Sequence, residues 1–209
     1  GDEVGQLVQG GVPWFHIDIM DGHYVPNLCF PTRLIGELKQ KYPQVQADVH
    51  LMVTDPMSYL PELKAQGADW VSFHLDATNF SRRTLTAIRG MGMKAGLVIN
   101  PSQPVSLLEP LIDFVDYVVL MTVEPGYAGQ RFMVDSLPRV SELAALRAKH
   151  GGNFLISIDG GVDYPNAIEC AKRGAEVFVT GIYTVFRQPD PIPAACRRFE
   201  RTIAAAAGA

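Results

Sequence analysis

Residues 154–182, FLISIDGGVDYPNAIECAKRGAEVFVTGI, form one complete strand–helix–strand pattern. The runs FLISID and VFVTGI are short, apolar and rich in β-branched residues, which is typical of buried strands. Between them, YPNAIECAKRG has helical composition and is followed by Gly174, a residue type that closes a helix in the left-handed conformation. Two strands joined through a helix in this way run parallel, so this stretch predicts an α/β fold.

The same unit repeats along the chain. Seven strand-like runs begin near residues 15, 47, 70, 94, 117, 154 and 177, and an amphipathic stretch of helical composition fills each gap between them. Seven such units in line favour a (β/α)8 TIM barrel over an open doubly wound sheet, and no G-x-G-x-x-G motif follows the first strand. We therefore predict one barrel domain over residues 1–209 with seven visible strands. The first barrel strand is expected to be absent, with residues 1–12 forming the helix that follows it.

The composition limits the classes of partner. The 209 residues are 47% apolar, and 18 Lys and Arg against 22 Asp and Glu give a net charge of −4. This near-balance argues against binding to nucleic acid or to a membrane surface through bulk charge. No run approaches the length of a membrane span. The three cysteines, Cys29, Cys170 and Cys196, form no C-x-x-C pair, so we expect no disulfide framework and a cytoplasmic location.

Strand parity predicts where polar side chains meet. Successive side chains in a strand point to opposite faces, and here the aliphatic residues of three strands occupy one face while polar residues occupy the other. The polar faces hold His16, Asp18 and Met20; Asp48, His50 and Met52; and Ser157 and Asp159. Because these residues lie at or near the carboxyl ends of parallel strands, we expect them inside the barrel mouth, where barrel enzymes build active sites.

Burying two histidines and two aspartates inside a barrel costs free energy unless the charged groups are paired. A divalent cation would resolve this, since imidazole and carboxylate ligands suit zinc, iron, manganese or cobalt. A single H-x-D pair could instead be a satisfied hydrogen bond. His74 is inward by the same parity, and either a structural or a functional role is open to it. Asp21 and His23 lie in a loop where capping or solvent contact is expected, and His150 is expected to be solvated at a helix end.

Glycine-rich loops follow the last three strands. Gly126, Ala128 and Gly129 lie in the longest gap, and further glycines follow the next two strands, in the sequences DGG (159–161) and VTG (179–181). Glycine permits close backbone approach, so amide N–H groups can point at an anion. Loops after the late strands of a barrel commonly bind phosphate, which predicts a phosphate site here.

Several blocks resemble ribulose-phosphate 3-epimerase and its relative allulose-6-phosphate 3-epimerase. The blocks are HIDIMDGHYVPNLCFP (16–31), DVHLMV (48–53), KAGLVINP (94–101), MTVEPGYAGQRF (121–132), IDGGV (158–162) and VFVTGIYTVF (177–186). The blocks occur in family order, and the resemblance extends from about residue 2 to residue 186. The resemblance implies a (β/α)8 barrel and a metal-dependent ketose-phosphate 3-epimerase of the pentose phosphate pathway. It also implies one divalent ion, zinc before iron, manganese or cobalt, a sugar-phosphate substrate and a homo-oligomer.

The resemblance also implies roles for individual residues. The implied metal ligands are His16, Asp18, His50 and Asp159, and the acid/base pair is Asp18 and Asp159. The implied substrate contacts are His50, Gly126, Tyr127, Ala128, Gly129, Asp159, Gly160, Gly161, Gly181 and Ile182. The implied lining of the reacting face is Met20, Met52 and Met121. Epimerisation beside a ketone removes a proton from one face and returns it to the other through an enediolate, which two opposed carboxylates can perform.

Three features depart from the commonest family pattern. A substrate-contacting serine of the first strand has no counterpart, and Gly181-Ile182 stands where the family has Gly-Ser. The runs VTDP (53–56) and TVEPGYAG (122–129) are more similar to the hexulose-phosphate relative, so D-allulose 6-phosphate is the alternative substrate.

Two other functions are considered. A phosphosugar lyase would need an inward lysine near the reacting carbon, but Lys94 opens its strand and so lies at the wrong end of the barrel. An inactive phosphosugar-binding relative is the non-enzymatic alternative.

Overall fold

The computed structural model describes residues 2–208, which contain an eight-stranded sheet. The strands are β1 (Trp14–Asp21), β2 (Leu28–Cys29), β3 (Gln46–Met52), β4 (Trp70–His74), β5 (Lys94–Ile99), β6 (Tyr117–Met121), β7 (Leu155–Asp159) and β8 (Val177–Phe178). Their spatial order is β2-β1-β3-β4-β5-β6-β7-β8. All neighbouring pairs are parallel except β1 with β2, so the seven predicted strands form one continuous parallel array.

Helices alternate with the parallel strands. They are α1 (Glu3–Gln9), α2 (Arg33–Lys41), α3 (Pro56–Gln66), α4 (Ser81–Gly90), α5 (Ser136–Lys149), α6 (Tyr164–Lys172) and α7 (Ile192–Ala207). Between β5 and β6 the predicted helical stretch is a 3₁₀ helix, Val105–Phe114, instead of an α-helix. Pro110 lies inside it and has no N–H to donate to an α-helical ladder. A short 3₁₀ helix, Leu75–Ala77, and a π-helix, Ile182–Phe186, complete the elements.

The sheet curls back on itself. β3 and β7 are four positions apart in the sheet, yet His50 Nδ1 on β3 lies 3.4 Å from Asp159 Oδ2 on β7. A flat sheet would hold strands four positions apart at nearly 20 Å, given a spacing of about 4.8 Å between neighbours. The strand–helix alternation and this curvature confirm the (β/α)8 TIM-barrel fold class, represented by seven parallel strands.

The terminal strands of the sheet can be compared with the prediction that the first barrel strand is absent. Over residues 2–208, β2 and β8 are the terminal strands, and no ladder joins β1 to β8. Helix α1 lies where the first crossover helix was predicted and packs against α7. The expected earlier strand lies outside the described residues. β2 was not predicted, because a two-residue strand has no periodicity to detect; it pairs with Met20 and Asp21 at the end of β1. The single domain over residues 1–209 stays a prediction.

The core follows the predicted parity. Aliphatic side chains from the outward faces of the strands pack against the helices, and polar side chains are buried inside the barrel. Gly67 and Gly174 end their helices with φ values of 86° and 100°, the left-handed conformation expected from the sequence. No helix between residues 2 and 208 is long and apolar enough to cross a lipid bilayer.

Candidate functional site

Strand register brings four predicted residues together at the barrel mouth. β1 and β3 are paired so that Asp18 lies beside His50, two residues beyond the pair His16 and Asp48. Asp159 ends β7 on the opposite wall. One nitrogen or oxygen atom from each of His16, Asp18, His50 and Asp159 lies within 4.8 Å of the others. The inward orientation inferred from parity therefore places all four polar heads around one point.

The first imidazole is held by a carboxylate behind it. His16 Nδ1 lies 2.8 Å from Asp48 Oδ2, and this leaves Nε2 facing the cluster, 3.3 Å from Asp18 Oδ1 and 3.6 Å from Asp159 Oδ2. His16 Nε2 is buried and has no hydrogen-bond partner within residues 2–208. A buried ring nitrogen without a partner, aimed at two carboxylates, fits a metal ligand, and a carboxylate on the other nitrogen is the usual support for such a histidine.

A buried tyrosine supports that carboxylate in turn. Tyr117, on β6, donates its hydroxyl hydrogen to Asp48 Oδ1 at 2.7 Å, so both oxygens of Asp48 are used. The Tyr117 ring crosses the barrel interior against Gly96, where a Cβ atom would overlap the ring. Both Asp48 and Tyr117 are nearly fully buried. The orientation of His16 is thus set by two consecutive hydrogen bonds in the barrel core, from Tyr117 to Asp48 and between Asp48 and His16.

The second imidazole uses the opposite ring nitrogen. His50 Nδ1 lies 3.2 Å from Asp18 Oδ1 and 3.4 Å from Asp159 Oδ2, while its Nε2 lies 2.8 Å from His74 Nε2. His50 and His74 are both fully buried, and their rings meet edge to edge with centroids 4.9 Å apart. Each imidazole of the cluster therefore presents one nitrogen to the centre and is anchored through the other.

Burial and charge pull the pKa values of the cluster in opposite directions. Burial raises the pKa of Asp159, but the close contacts with the imidazoles of His16 and His50 outweigh it and lower the pKa to about 2. The same contacts hold the pKa of Asp18 well below its usual range against the effect of burial. Burial lowers the pKa of His16, but the facing carboxylates raise it well above its usual value. The pKa of His74 is well below its usual value because of burial and the neighbouring His50.

The donor set fits a divalent cation. Two imidazole nitrogens and two carboxylate oxygens converge, and a third carboxylate, Asp48, backs one imidazole. Nitrogen and carboxylate oxygen ligands suit zinc and other first-row transition metals. The cluster can hold one such ion.

The three predicted glycine loops meet on the other side of the mouth. Gly126, Gly129, Gly160 and Gly161 all have positive φ. A Cβ atom on Gly161 would collide with the backbone of residues 131–132, so the loop after β7 lies directly on the loop after β6.

The loop after β8 joins this contact. The Tyr183 hydroxyl donates to the Gly129 carbonyl at 2.7 Å, and Ile182 lies beside Gly129. The Gly181 N–H already donates to Thr184 Oγ1 at 3.2 Å. The loops are therefore adjacent, as a shared anion site requires, but the Gly181 amide is engaged inside its own loop. Ala128 and Tyr127 are exposed, and the Tyr127 hydroxyl donates to the Pro26 carbonyl at 3.1 Å.

The three predicted lining methionines lie at strand ends. Met20 and Met52 are in register at the ends of β1 and β3, and Met121 is in register with Asp159 at the ends of β6 and β7. Met52 and Met121 are almost completely buried, whereas Met20 is half-buried. All three are on strands that carry or flank the cluster.

A polar network beyond His74 was not found from the sequence. Tyr24 donates its hydroxyl hydrogen to Asp76 Oδ1 at 2.7 Å, and Asn100 Nδ2 donates to the Tyr24 hydroxyl at 2.8 Å and approaches Asp76 Oδ2 at 3.3 Å. The Tyr24 ring packs on His74 with centroids 4.6 Å apart. The missed signal was position: Asp76 lies two residues after β4 and Asn100 directly follows β5.

Asp21 has the capping role expected for its loop. Its carboxylate accepts hydrogen bonds from the backbone N–H groups of His23 and Tyr24, at 2.8 Å each. It also accepts bonds from the N–H and hydroxyl of Thr54, at 2.8 and 2.9 Å. These bonds join the ends of β1 and β3. His150 contacts Glu109 at 2.9 Å and is partly exposed at the end of α5.

Known proteins are similar to this chain over most of its length. Residues 1–186 match the model of the ribulose-phosphate 3 epimerase family. Ribulose-phosphate 3-epimerase of Treponema pallidum is 40% identical over 171 residues, which are 82% of this chain and 78% of that protein. Ribulose-phosphate 3-epimerase of Bacillus subtilis is 39% identical over 191 residues, 91% of this chain and 87% of that protein. The crystal structure of KGPDC from Streptococcus mutans superposes with a TM-score of 0.71 at 15% identity, covering 97% of this chain and 91% of that one, which supports the fold alone.

Proposed function

The chain belongs to the ribulose-phosphate 3-epimerase family, an isomerase family, and we propose that it interconverts D-ribulose 5-phosphate and D-xylulose 5-phosphate. The observation that carries this proposal is the convergence of His16, Asp18, His50 and Asp159 within 4.8 Å at the barrel mouth. In the proposal these four residues hold one divalent cation, and the two aspartates also move the proton.

Two carboxylates account for the proton transfer. One takes the proton from C3, the carbon beside the ketone, and the other supplies a proton to the opposite face of the same carbon. The lowered pKa values of Asp18 and Asp159 favour the ionised form that the base needs, and the aspartate that supplies the proton must start the turnover protonated. The base leaves the turnover protonated and the acid leaves it ionised, so the two roles are exchanged for the reverse direction. The side chain of Asp18 is 37% exposed and that of Asp159 is 15% exposed, so both have surface open to the mouth.

Removal of the proton produces an enediolate with negative charge on two neighbouring oxygens. A bound divalent cation supplies Lewis-acid stabilisation of that charge. His16 and His50 serve this purpose as oriented ligands, since each ring is fixed through its second nitrogen. Met20, Met52 and Met121 would shield the reacting carbon from water without offering a proton.

The glycine loops are proposed to bind the substrate phosphate. Backbone N–H groups of residues 126–129, Gly160 and Gly161 are the proposed donors, supported by the contact between the three loops. Gly181 and Ile182 would line the site on its third side. Ile182 offers no hydroxyl, and the Gly181 N–H is used by Thr184, so the first two loops carry most of the phosphate binding in this proposal.

The remaining parts of the proposal concern the setting of the enzyme. Zinc is the first expected ion, with iron, manganese or cobalt as alternatives, because the donor set suits all of them. Cys29, Cys170 and Cys196 are free thiols, which agrees with a reducing cytoplasm. Assembly as a homo-oligomer and a place in pentose phosphate metabolism stay predictions, which sedimentation and substrate profiling can test.

Isotope exchange tests the metal and the chemistry together. Protein purified without chelator is assayed in deuterated water with D-ribulose 5-phosphate, and proton NMR follows both exchange at C3 and formation of D-xylulose 5-phosphate. We expect exchange and epimerisation together, loss of both after a strong chelator, and recovery on adding zinc or another divalent ion. Full turnover by verified metal-free protein would contradict the proposed metal role.

A parallel assay separates the candidate substrates. D-Allulose 6-phosphate is tested under the same conditions, and we expect the higher kcat/KM for the pentulose phosphate. A preference for the hexulose phosphate would move the assignment to that relative while leaving the chemistry unchanged. Binding of either sugar phosphate without any C3 exchange would favour the inactive phosphosugar-binding alternative.

A further inference from the structure

The two imidazoles of the cluster are anchored in chemically different ways. His16 is backed by a carboxylate, which can only accept a hydrogen bond and so fixes the proton on Nδ1. His50 is backed by His74, and an imidazole can either donate or accept at the contacting nitrogen. The 2.8 Å contact alone therefore does not decide which ring nitrogen of His50 carries the proton. For Nδ1 of His50 to be a ligand, its proton must be on Nε2.

The network at the surface end of His74 decides this question. The carboxylate of Asp76 accepts hydrogen bonds only, so the single Tyr24 hydroxyl hydrogen points to it. The Tyr24 oxygen then has only lone pairs left for Asn100, which must contact it through its NH₂ group. The same NH₂ group faces Asp76 Oδ2 at 3.3 Å. Two acceptors thus fix the orientation of the Asn100 amide, with its Oδ1 directed away from them.

The next contact in the network joins Asn100 to His74. Asn100 Oδ1 and His74 Nδ1 are both buried, and neither has a hydrogen-bond partner within residues 2–208. His74 is in register with Val98 on the neighbouring strand and Asn100 follows two residues later, and both side chains contact Tyr24. An amide oxygen can only accept, so its natural partner is a protonated His74 Nδ1. A buried polar group without a partner is costly, which favours the arrangement that satisfies both atoms.

We propose that His74 is a positioning residue whose Nε2 accepts the Nε2 proton of His50, and that Asp76, Tyr24 and Asn100 impose this direction. With the proton of His74 on Nδ1, its Nε2 carries a lone pair, so His50 must donate. His50 then has its own lone pair on Nδ1, facing Asp18 and Asp159. The exposed carboxylate of Asp76 thereby determines the donor and acceptor at each hydrogen bond as far as the buried His50. The proposal rests on the proposed metal site, because it explains how His50 is kept ready for an ion.

Nitrogen NMR of the wild-type protein tests the direction. Long-range ¹H–¹⁵N correlation on the zinc-loaded, ¹⁵N-labelled full chain reports which imidazole nitrogen carries hydrogen. We expect hydrogen on Nε2 of His50 and on Nδ1 of His74, with His16 protonated on Nδ1 as an internal reference. Hydrogen on Nε2 of His74 would overturn the inference while leaving the metal site intact. A wild-type protein that binds neither zinc nor iron, manganese or cobalt would instead overturn the proposed metal site.

Two substitutions at His74 separate positioning from packing. The affinity of each apoprotein for zinc is measured by competition with a chromophoric chelator. His74→Leu removes the acceptor, and we expect binding about 10- to 100-fold weaker, the usual loss when the partner of a ligating histidine is removed. His74→Gln keeps an amide oxygen that can accept from His50 Nε2, so it should retain most of the affinity. Equal losses in both variants, or no loss in either, would overturn the positioning role.

A remote pair of substitutions tests the origin of the direction. Asp76→Asn replaces a group that only accepts with one that can also donate, so the Asn100 amide is no longer fixed. We expect a smaller loss of zinc affinity than for His74→Leu. When the NMR experiment is repeated without metal, so that no ion fixes the proton of His50, we expect mixed protonation of His74. Asp113→Asn is the matched control, because Asp113 is exposed and its side chain makes no hydrogen bond among residues 2–208. A single, unchanged His74 tautomer in Asp76→Asn would show that Asp76 does not set the direction.

Discussion

The cluster of His16, Asp18, His50 and Asp159 and the glycine loops lie at the same mouth of the barrel but are built differently. The cluster consists of side chains on β1, β3 and β7, whose positions are set by strand register and by buried hydrogen bonds to Asp48 and His74. The loops after β6, β7 and β8 offer mainly backbone groups, and they are held by close backbone contact and by one tyrosine bond to Gly129.

This difference predicts how each region responds to substitution. A side chain in the cluster has a chemical role that no neighbour can replace, and its removal leaves buried charges without partners. A loop that binds through several N–H groups shares its contribution, so one altered residue should weaken substrate binding without abolishing the reaction. Changes in the cluster should therefore lower kcat, and changes in the loops should raise KM.

The largest expected effect is at the two carboxylates. Asp159→Asn and Asp18→Asn keep the size of each side chain but remove the proposed proton acceptor and the proposed anionic ligand. We expect kcat to fall by at least about 10²-fold in each variant, the lower range for a positioned acid or base. Steady-state kinetics with D-ribulose 5-phosphate and metal analysis of each variant provide the measurement.

The control for these substitutions is Asp113→Asn, on the exposed surface far from the mouth. It should keep wild-type kcat, KM and metal content. Near-wild-type turnover by Asp18→Asn or Asp159→Asn at full metal loading would remove that residue from the proton transfer. Loss of turnover only in parallel with loss of metal would limit its role to that of a ligand.

The contrast between regions also explains what the sequence could predict. Parity along FHIDIM, ADVHLMV and FLISID was enough to place His16, His50 and Asp159 inside the barrel, because a parallel strand leaves only two directions for each side chain. The repeat of strand–helix units likewise predicted all seven parallel strands. Local patterns of this kind are read directly from neighbouring residues.

Features that depend on distant residues were beyond such patterns. The short strand β2 exists through pairing with the end of β1, and the 3₁₀ helix Val105–Phe114 has the apolar spacing of an α-helix. The Tyr24–Asn100 bond joins residues 76 positions apart. Each is decided by the packing of separate loops, which spacing within one segment does not encode.

A matched pair of glycines tests the loop region, where a smaller effect is expected. Gly161 and Gly151 have nearly equal φ values, 62° and 60°, so alanine is similarly strained at both. A Cβ atom at Gly161 would collide with residues 131–132, whereas one at Gly151 meets nothing within 4 Å. We expect Gly161→Ala to raise KM about tenfold, a loss of about 1.4 kcal/mol in binding, with kcat within a few-fold of wild type.

Gly151→Ala should show only the loss of stability that a strained backbone causes in both variants. Its KM and kcat should equal those of the wild type, with only a modest fall in thermal stability. If Gly161→Ala lowers kcat strongly at unchanged KM, the loop has a direct part in the chemistry. In that case the expectation that the cluster determines kcat and the loops determine KM would be wrong.

The smallest expected effect is at Asp21, whose hydrogen bonds join the ends of β1 and β3, two strands that carry the cluster. Partial burial raises the pKa of Asp21, but hydrogen bonds from the backbone of Thr54, Tyr24 and His23 outweigh it and lower the pKa to about 2. A carboxyl whose pKa is lower in the folded than in the unfolded chain, where it is about 3.9, stabilises the fold above that pH. Its contribution is lost as the pH falls from about 4 towards 2.

Urea denaturation of wild type and Asp21→Asn measures this contribution. We expect the variant to be less stable by about 1 kcal/mol at pH 6, with the difference shrinking as the pH approaches 2. Both proteins keep the same cluster carboxylates, so their titration cancels in the comparison, and Asp113→Asn should match the wild type at every pH. A difference that stays constant from pH 6 to pH 2 would mean that Asp21 joins β1 to β3 through its shape alone. The junction between β1 and β3 would then not depend on the charge of Asp21.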